Sequence, residues 1–200
     1  MELSKRAQEL QLSPLQLFFR KAKEMREKGK NIISLAVGEL NFPTPENIRQ
    51  SGIGAIETDQ TRYTPAGGMA ELRGMATEDF QKSGIPAIIS NTLASSGSQP
   101  LIAAAILAVA NPGDTLLVPS PYYPPYLALA RLFGVETTLV DTSQDRFQLK
   151  ADAIKKVLSD RAQVLIFNSP NNPTGAIWDP KELLDLPADI CFIVDEAYQR

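Results

Sequence analysis

The chain has 200 residues, 44% hydrophobic and 22% charged, enough to bury one sizeable core with at most a small appendage. A net charge of -3 gives no reason to expect nucleic acid or an anionic membrane as a partner. One cysteine, Cys191, excludes an internal disulfide and a thiolate cluster, and the absence of histidine removes a serine–histidine triad and a histidine-ligated metal, so no metal site is expected.

The N-terminus mixes charges early (Glu2, Lys5, Arg6, Glu9) and is not a secretory signal; with no stretch resembling a membrane span, the cytoplasm is the expected location. Ser13-Pro14 and the stripe Leu15, Phe18, Phe19, Ala22 and Met25 predict a capped helix closed by Gly29. Its lysines and arginine alternate with Glu24 and Glu27, which marks a solvated face. The apolar run Ile32 to Val37 leads to Gly38, and Asn41 to Pro45 is a linker. Further helices are expected over Pro45 to Ile56, Met69 to Lys82, Gln99 to Ala110, Pro125 to Phe133 and Lys150 to Leu158, with a short one after Asp179-Pro180. Between them lie runs rich in β-branched residues: Thr115 to Val118, Val135 to Val140, Val164 to Phe167 and Ile190 to Val194, with Asn91 to Ser95 expected as one more. Short apolar strands alternating with helices predict an α/β fold, a mainly parallel sheet with helices on both faces.

In such sheets ligands gather outside the carboxyl ends of the strands, so the segments after the strands deserve inspection. Ser95-Ser96-Gly97-Ser98-Gln99 opens a helix with small residues and free N–H groups that suit an anion. Pro121-Tyr122-Tyr123-Pro124-Pro125-Tyr126 is a stiff aromatic loop able to stack on a flat ring. Asn168 to Gly175 is rich in amides and X-Pro bonds, where a cis bond fits a tight turn. Asp195 ends a buried strand, where a carboxylate is costly unless something cationic meets it. Taken singly, each also has a plainer account: a serine-capped helix, a packed loop, a turn, and a capping or ion-paired aspartate.

The ordered set Ser96-Gly97-Ser98, Tyr123, Asn168 to Gly175 and Asp195 to Tyr198 resembles the cofactor site of class I/II (fold-type I) aminotransferases, in particular their aspartate aminotransferase-like members. The resemblance implies the N-terminal half of a pyridoxal 5'-phosphate (PLP) enzyme. Residues 1–45 would be an N-terminal helix and small-domain segment, and 46–200 an incomplete large domain. It places the phosphate-binding backbone on Ser96, Gly97 and Ser98, and the stacking ring on Tyr123. The partners of the cofactor's phenolic oxygen fall on Asn172 and Tyr198, and the partner of its ring nitrogen on Asp195. Gly38, with Asn172, falls beside the substrate, and Tyr63 reaches the partner subunit's phosphate. Its cis prolines correspond to Ser120-Pro121 and Asn172-Pro173. Asp195 and Tyr198 are thus the catalytic candidates in this chain.

The same resemblance implies a homodimer that moves an amino group from an amino acid to a 2-oxo acid. The family's cofactor-holding lysine lies downstream of the aspartate strand and has no counterpart before Arg200, so a fragment, inactive alone, is expected. Two other readings stay open: a PLP-dependent carbon–sulfur lyase or aminocyclopropane-carboxylate synthase on the same fold, and a short non-catalytic protein that binds PLP or a partner.

Overall fold

The computed structural model describes residues 2–4, 7–8, 14–35, 38, 40–159, 162 and 164–199. Two compact units divide it: Met1–Leu10 with Leu93–Arg200, and Gln11–Thr92. Ser13, expected as a cap, and Ala36, Val37 and Glu39 around Gly38 lie outside the described residues.

Within Gln11–Thr92 run helices α1 (Pro14–Glu27), α2 (Glu46–Glu57) and α3 (Ala70–Lys82), each within a residue or two of its predicted bounds. The strand expected over Asn91 to Ser95 is not formed: Ile89–Asn91 is a 3-10 turn and no ladder follows it. Side chains at and near its start bond local backbone instead. Asn91 Oδ1 accepts the Ile88 N–H (2.8 Å), and Thr92 Oγ1 donates to the Ile88 carbonyl (3.0 Å). The Thr92 carbonyl accepts from Arg73 Nε (2.7 Å), whose guanidinium also reaches the Ile89 carbonyl. The buried hydroxyls of Thr77 and Thr92 pair at 2.9 Å.

The other unit holds α4 (Ser98–Val109), β1 (Thr115–Ser120), α5 (Pro125–Phe133), β2 (Glu136–Asp141), α6 (Ala151–Lys155), β3 (Val164–Asn168), α7 (Lys181–Leu184) and β4 (Cys191–Asp195). Its four strands are all parallel, in the order β2-β1-β3-β4. Central β3 is buried along its whole length, whereas the edge strands β2 and β4 mix covered and exposed positions. That difference follows from position: a strand covered on both faces reads as a continuous apolar run.

Alternate residues of β1 and β3 feed two cores. Leu116, Val118, Val164 and Ile166 meet Ile102 and Ile106 of α4 and Tyr126, Leu129 and Ala130 of α5. Leu117, Leu165 and Phe167 face the other way, onto Leu149, Ile154, Trp178 and Ile190. Helices therefore cover both faces, as expected. Each fully buried Leu or Ile contributes about 1.5–3 kcal/mol relative to exposure. Trp178 adds direction, packing on Phe167 with ring centroids 5.2 Å apart and donating Nε1–H to the Phe147 carbonyl at 2.9 Å.

Two local devices set the helix lengths. Helix α5 stops at Gly134, whose φ of +74° is left-handed; a Cβ there would also touch Pro112 Cβ at 3.5 Å. Helix α6 is shorter than predicted because its end tightens, with Val157 N–H bonding to the Ile154 carbonyl at 3.0 Å. Its start is held from a distance. Glu182 accepts the Ala151 N–H (3.1 Å) and Lys150 Nζ (2.8 Å), which holds its carboxyl below, and the Lys150 amine above, their usual ranges.

Candidate active site

Strand β1 stays paired to β2 as far as Ser120, but to β3 only at Leu116 and Leu117. Pro119 offers no N–H to extend a ladder toward β3. Pairing of the two central strands thus stops short of their carboxyl ends, where the strand order reverses and a ligand crevice is expected. Helix α4 runs back toward the start of β1 through a short loop, so its N-terminus lies at the same edge.

Gly97 caps α4 with φ +91° and ψ 170°, and no side chain bonds the first amides of the helix. An L residue would be strained at that φ, and nothing lies within 4 Å of the place its Cβ would occupy. Ser96, Gly97, Ser98 and Gln99 border a cavity of about 590 Å³ together with Tyr123; the Gly97 N–H is given to the Ser95 carbonyl at 3.0 Å and would have to be shared with a ligand. An anion is the natural occupant of such a helix start. Soaking crystals with phosphate, sulfate or PLP is therefore expected to put an oxyanion on the Ser96, Gly97 and Ser98 amides. Density for the group elsewhere would rule out the assignment.

Tyr123 follows the cis Ser120-Pro121 bond, and its ring meets Tyr126 edge-on, with centroids 5.4 Å apart and planes at 79°. Burial raises the Tyr123 phenol above its usual range, and the charge of Asp195 adds to this.

Asp195 closes β4 opposite Asn168 of β3 and is only 8% exposed. Its two oxygens are differently held. Oδ1 accepts the Ala197 N–H at 3.1 Å, and Oδ2 accepts the Tyr126 hydroxyl at 2.7 Å. Burial, then the hydrogen bond to Asp195, push the Tyr126 phenol far above the normal tyrosine range, so it stays protonated and donates to Asp195. No lysine or arginine neutralises Asp195 among the described contacts.

The loop after β3 is held by its own amides. Asn171 Nδ2 donates to Asn168 Oδ1 (2.9 Å), and Asn171 Oδ1 accepts from the Thr174 hydroxyl (2.7 Å) and N–H (3.3 Å). This frame presents Asn172, whose Nδ2 donates to the Tyr198 hydroxyl at 3.0 Å. The Asn172-Pro173 bond is cis, as is Ser169-Pro170, which the sequence reading had not singled out. A more apolar cavity of about 570 Å³, bordered by Phe167, Trp178, Val194 and Tyr198, adjoins the loop but lacks any such cradle for an anion.

Ser96, Gly97, Ser98 and Tyr123 therefore share one cavity, and Asn172 and Tyr198 form one pair. Asp195 joins Tyr126, a residue the sequence had presented only as part of an aromatic loop. The available signal was its place on the buried stripe of α5 with Leu129 and Ala130, where a phenol needs a partner. Gly38 and Tyr63 belong to the other unit, where Tyr63 is fully exposed.

The parallel sheet thus carries, toward its carboxyl edge, a helix start of small residues, the Tyr123 ring and the buried Asp195 carboxylate. The chain belongs to the aminotransferase class I and II family, whose model matches residues 30–200. It is 31% identical to the aspartate/prephenate aminotransferases of Nitrosomonas europaea and of Thermus thermophilus, covering 52% and 53% of those proteins with 100% and 99% of its own length. Among solved structures, it superposes on a double mutant of Thermus thermophilus aspartate aminotransferase with a TM-score of 0.92. The identity there is 30%, covering 100% of this chain and 54% of that one. The Rhizobium meliloti aspartate aminotransferase gives 0.88 at 26% identity, covering 98% and 51%. The chain spans about half the length of the curated relatives it matches.

Proposed function

We propose that the complete gene product containing this chain uses PLP to transfer an amino group from an amino acid, aspartate or one of a broad set, to a 2-oxo acid. The observation that carries this reading is Asp195: a buried carboxylate at a strand end, oriented by neutral donors and left with its charge uncancelled. The residues present fit the cofactor, with the α4 start for a phosphate, Tyr123 for the ring face, and Asn172 with Tyr198 for a phenolic oxygen. Bound there, PLP supplies an electron sink for the pair left when the substrate's α-proton departs.

The chain's own groups do the positioning. Asp195 holds a proton on the ring nitrogen by charge. The Ser96 to Ser98 amides fix the phosphate end, and Tyr123 sets the plane of the ring. Asn172 and Tyr198 set its rotation in that plane. Held this way, the reacting groups keep one geometry, which is worth several orders of magnitude in rate. In the same reading Gly38 lies beside the substrate carboxylate, Tyr63 serves the phosphate of a second subunit in a homodimer, and the location is cytoplasmic. Residues 1–45 belong to a small domain and 46–200 to the large one.

The test is a product assay on the complete gene product with PLP, aspartate and 2-oxoglutarate. The expected result is one new amino acid per oxo acid formed. Ammonia with a thiol, or a cyclised product, would instead assign lyase or synthase chemistry. PLP binding without turnover of any amino acid would favour a non-catalytic protein.

A further inference from the structure

Tyr126 takes no part in the scheme above, yet it touches two of its elements. It is 1% exposed, anchored on α5 beside Leu129 and Ala130, with its hydroxyl 2.7 Å from Asp195 Oδ2 and its ring edge against Tyr123. We propose that Tyr126 is a positioning residue of the cofactor site, one side chain that fixes the Asp195 carboxylate and the Tyr123 ring relative to each other. The proposal rests on the PLP reading and deepens it.

Three features of the geometry argue for this role. A carboxylate held at one oxygen can still turn about its Cβ–Cγ bond. Held at Oδ1 by Ala197 N–H and at Oδ2 by Tyr126, it cannot, and each oxygen keeps a lone pair for the crevice. Second, the donor is neutral. A lysine or arginine there would cancel the charge that a ring cation needs, whereas a phenol orients the carboxylate and leaves it negative. Burial keeps that phenol protonated throughout the working pH range. Third, the edge-on contact with Tyr123 lets the same rigid ring limit the tilt of the stacking plate.

The test compares equilibrium binding of two ligands, PLP and its analogue with carbon in place of the ring nitrogen, to the complete gene product. Tyr126→Phe keeps the ring and removes the hydroxyl. It is expected to weaken PLP by about three- to tenfold, the cost of having the ligand immobilise one side chain itself. The carbon analogue, which makes no use of the carboxylate's direction, should change less than twofold. In an Asp195→Ala background, Tyr126→Phe should add nothing for either ligand. Equal weakening of both ligands would mean a purely structural tyrosine, and unchanged PLP binding would mean no role; either overturns the proposal alone. A parent protein that binds no PLP would overturn the amino-transfer reading and this proposal with it. A variant that fails to fold is replaced by 3-fluorotyrosine at position 126. Its fluorine resonance should move on adding PLP and hold still on adding the carbon analogue, and the same response to both overturns the proposal.

Discussion

Asp195→Ala, in the complete gene product, is expected to lower amino transfer by about 10²–10³-fold or more, the scale seen when a preorganised electrostatic partner is removed. Asp195 is the only charged side chain among the buried described residues, and it is bonded to Tyr126. Without it a dry crevice would strip the proton from the ring nitrogen, and the electron sink would weaken. The fold should survive. The loss leaves the Tyr126 hydroxyl without its acceptor, a cost of about 1–3 kcal/mol, and removes no side chain from either apolar core. Asp195→Asn separates charge from shape and should be nearly as inactive as the alanine variant. Steady-state rates with thermal melts of both variants check the claim; near-normal turnover in either would show that Asp195 has been given the wrong role.

The second large effect concerns residues 1–200 by themselves. Incubated with PLP, an amino acid and an oxo-acid acceptor, they are expected to give no turnover above that of free PLP. Amino transfer in this reading needs an amine that anchors the cofactor and moves the α-proton. The chain has ten lysines, and none borders either cavity at the carboxyl edge. Lys150, the nearest in sequence to a strand end in that unit, is engaged by Glu182 at 2.8 Å. An unanchored ring also forfeits the rate gained by fixed orientation. Sustained turnover by the 200-residue chain, abolished by Asp195→Ala, would overturn the expectation and require a replacement amine. Turnover that returns only when a second polypeptide is added would support a divided catalytic unit.

The strands and most helices were legible because apolar periodicity survives in a single sequence. Pro125–Phe133 reads at once as a helix between a proline and a glycine, and the Val164 run reads as a strand buried on both faces. Asn91 to Ser95 misled because β-propensity does not say whether a segment finds a ladder partner, and none pairs with it among the described residues, where Asn91 and Thr92 bond the Ile88 backbone. Within the candidate site, Tyr123, Asn172 and Asp195 lie at or after strand ends, whereas Ser96 to Ser98 follow a segment that forms no strand and were picked out by the family resemblance alone. Tyr126 did not stand out, because its partner is 69 residues away and its burial depends on the tertiary packing of α5. Asn171 hid for a similar reason: an amide-rich turn does not reveal which amide faces inward.

The strand order has a consequence for how the chain is made. A sheet ordered β2-β1-β3-β4 grows outward in the direction of translation: β1 and β2 can pair first, β3 then lines the other side of β1, and β4 is laid down last. Tyr126 leaves the ribosome 69 residues ahead of Asp195, a lag of roughly 3–14 s at about 5–20 residues per second. Through that interval the phenol lacks this acceptor, although its ring can already pack with Ile102, Ile106, Leu129 and Ala130. The carboxylate's arrival completes the outer strand and gives the phenol its acceptor in one step. A nascent chain halted before β4 would therefore carry the α4 helix start and Tyr126 without the Asp195 carboxylate, so the site proposed above would be complete only late in synthesis.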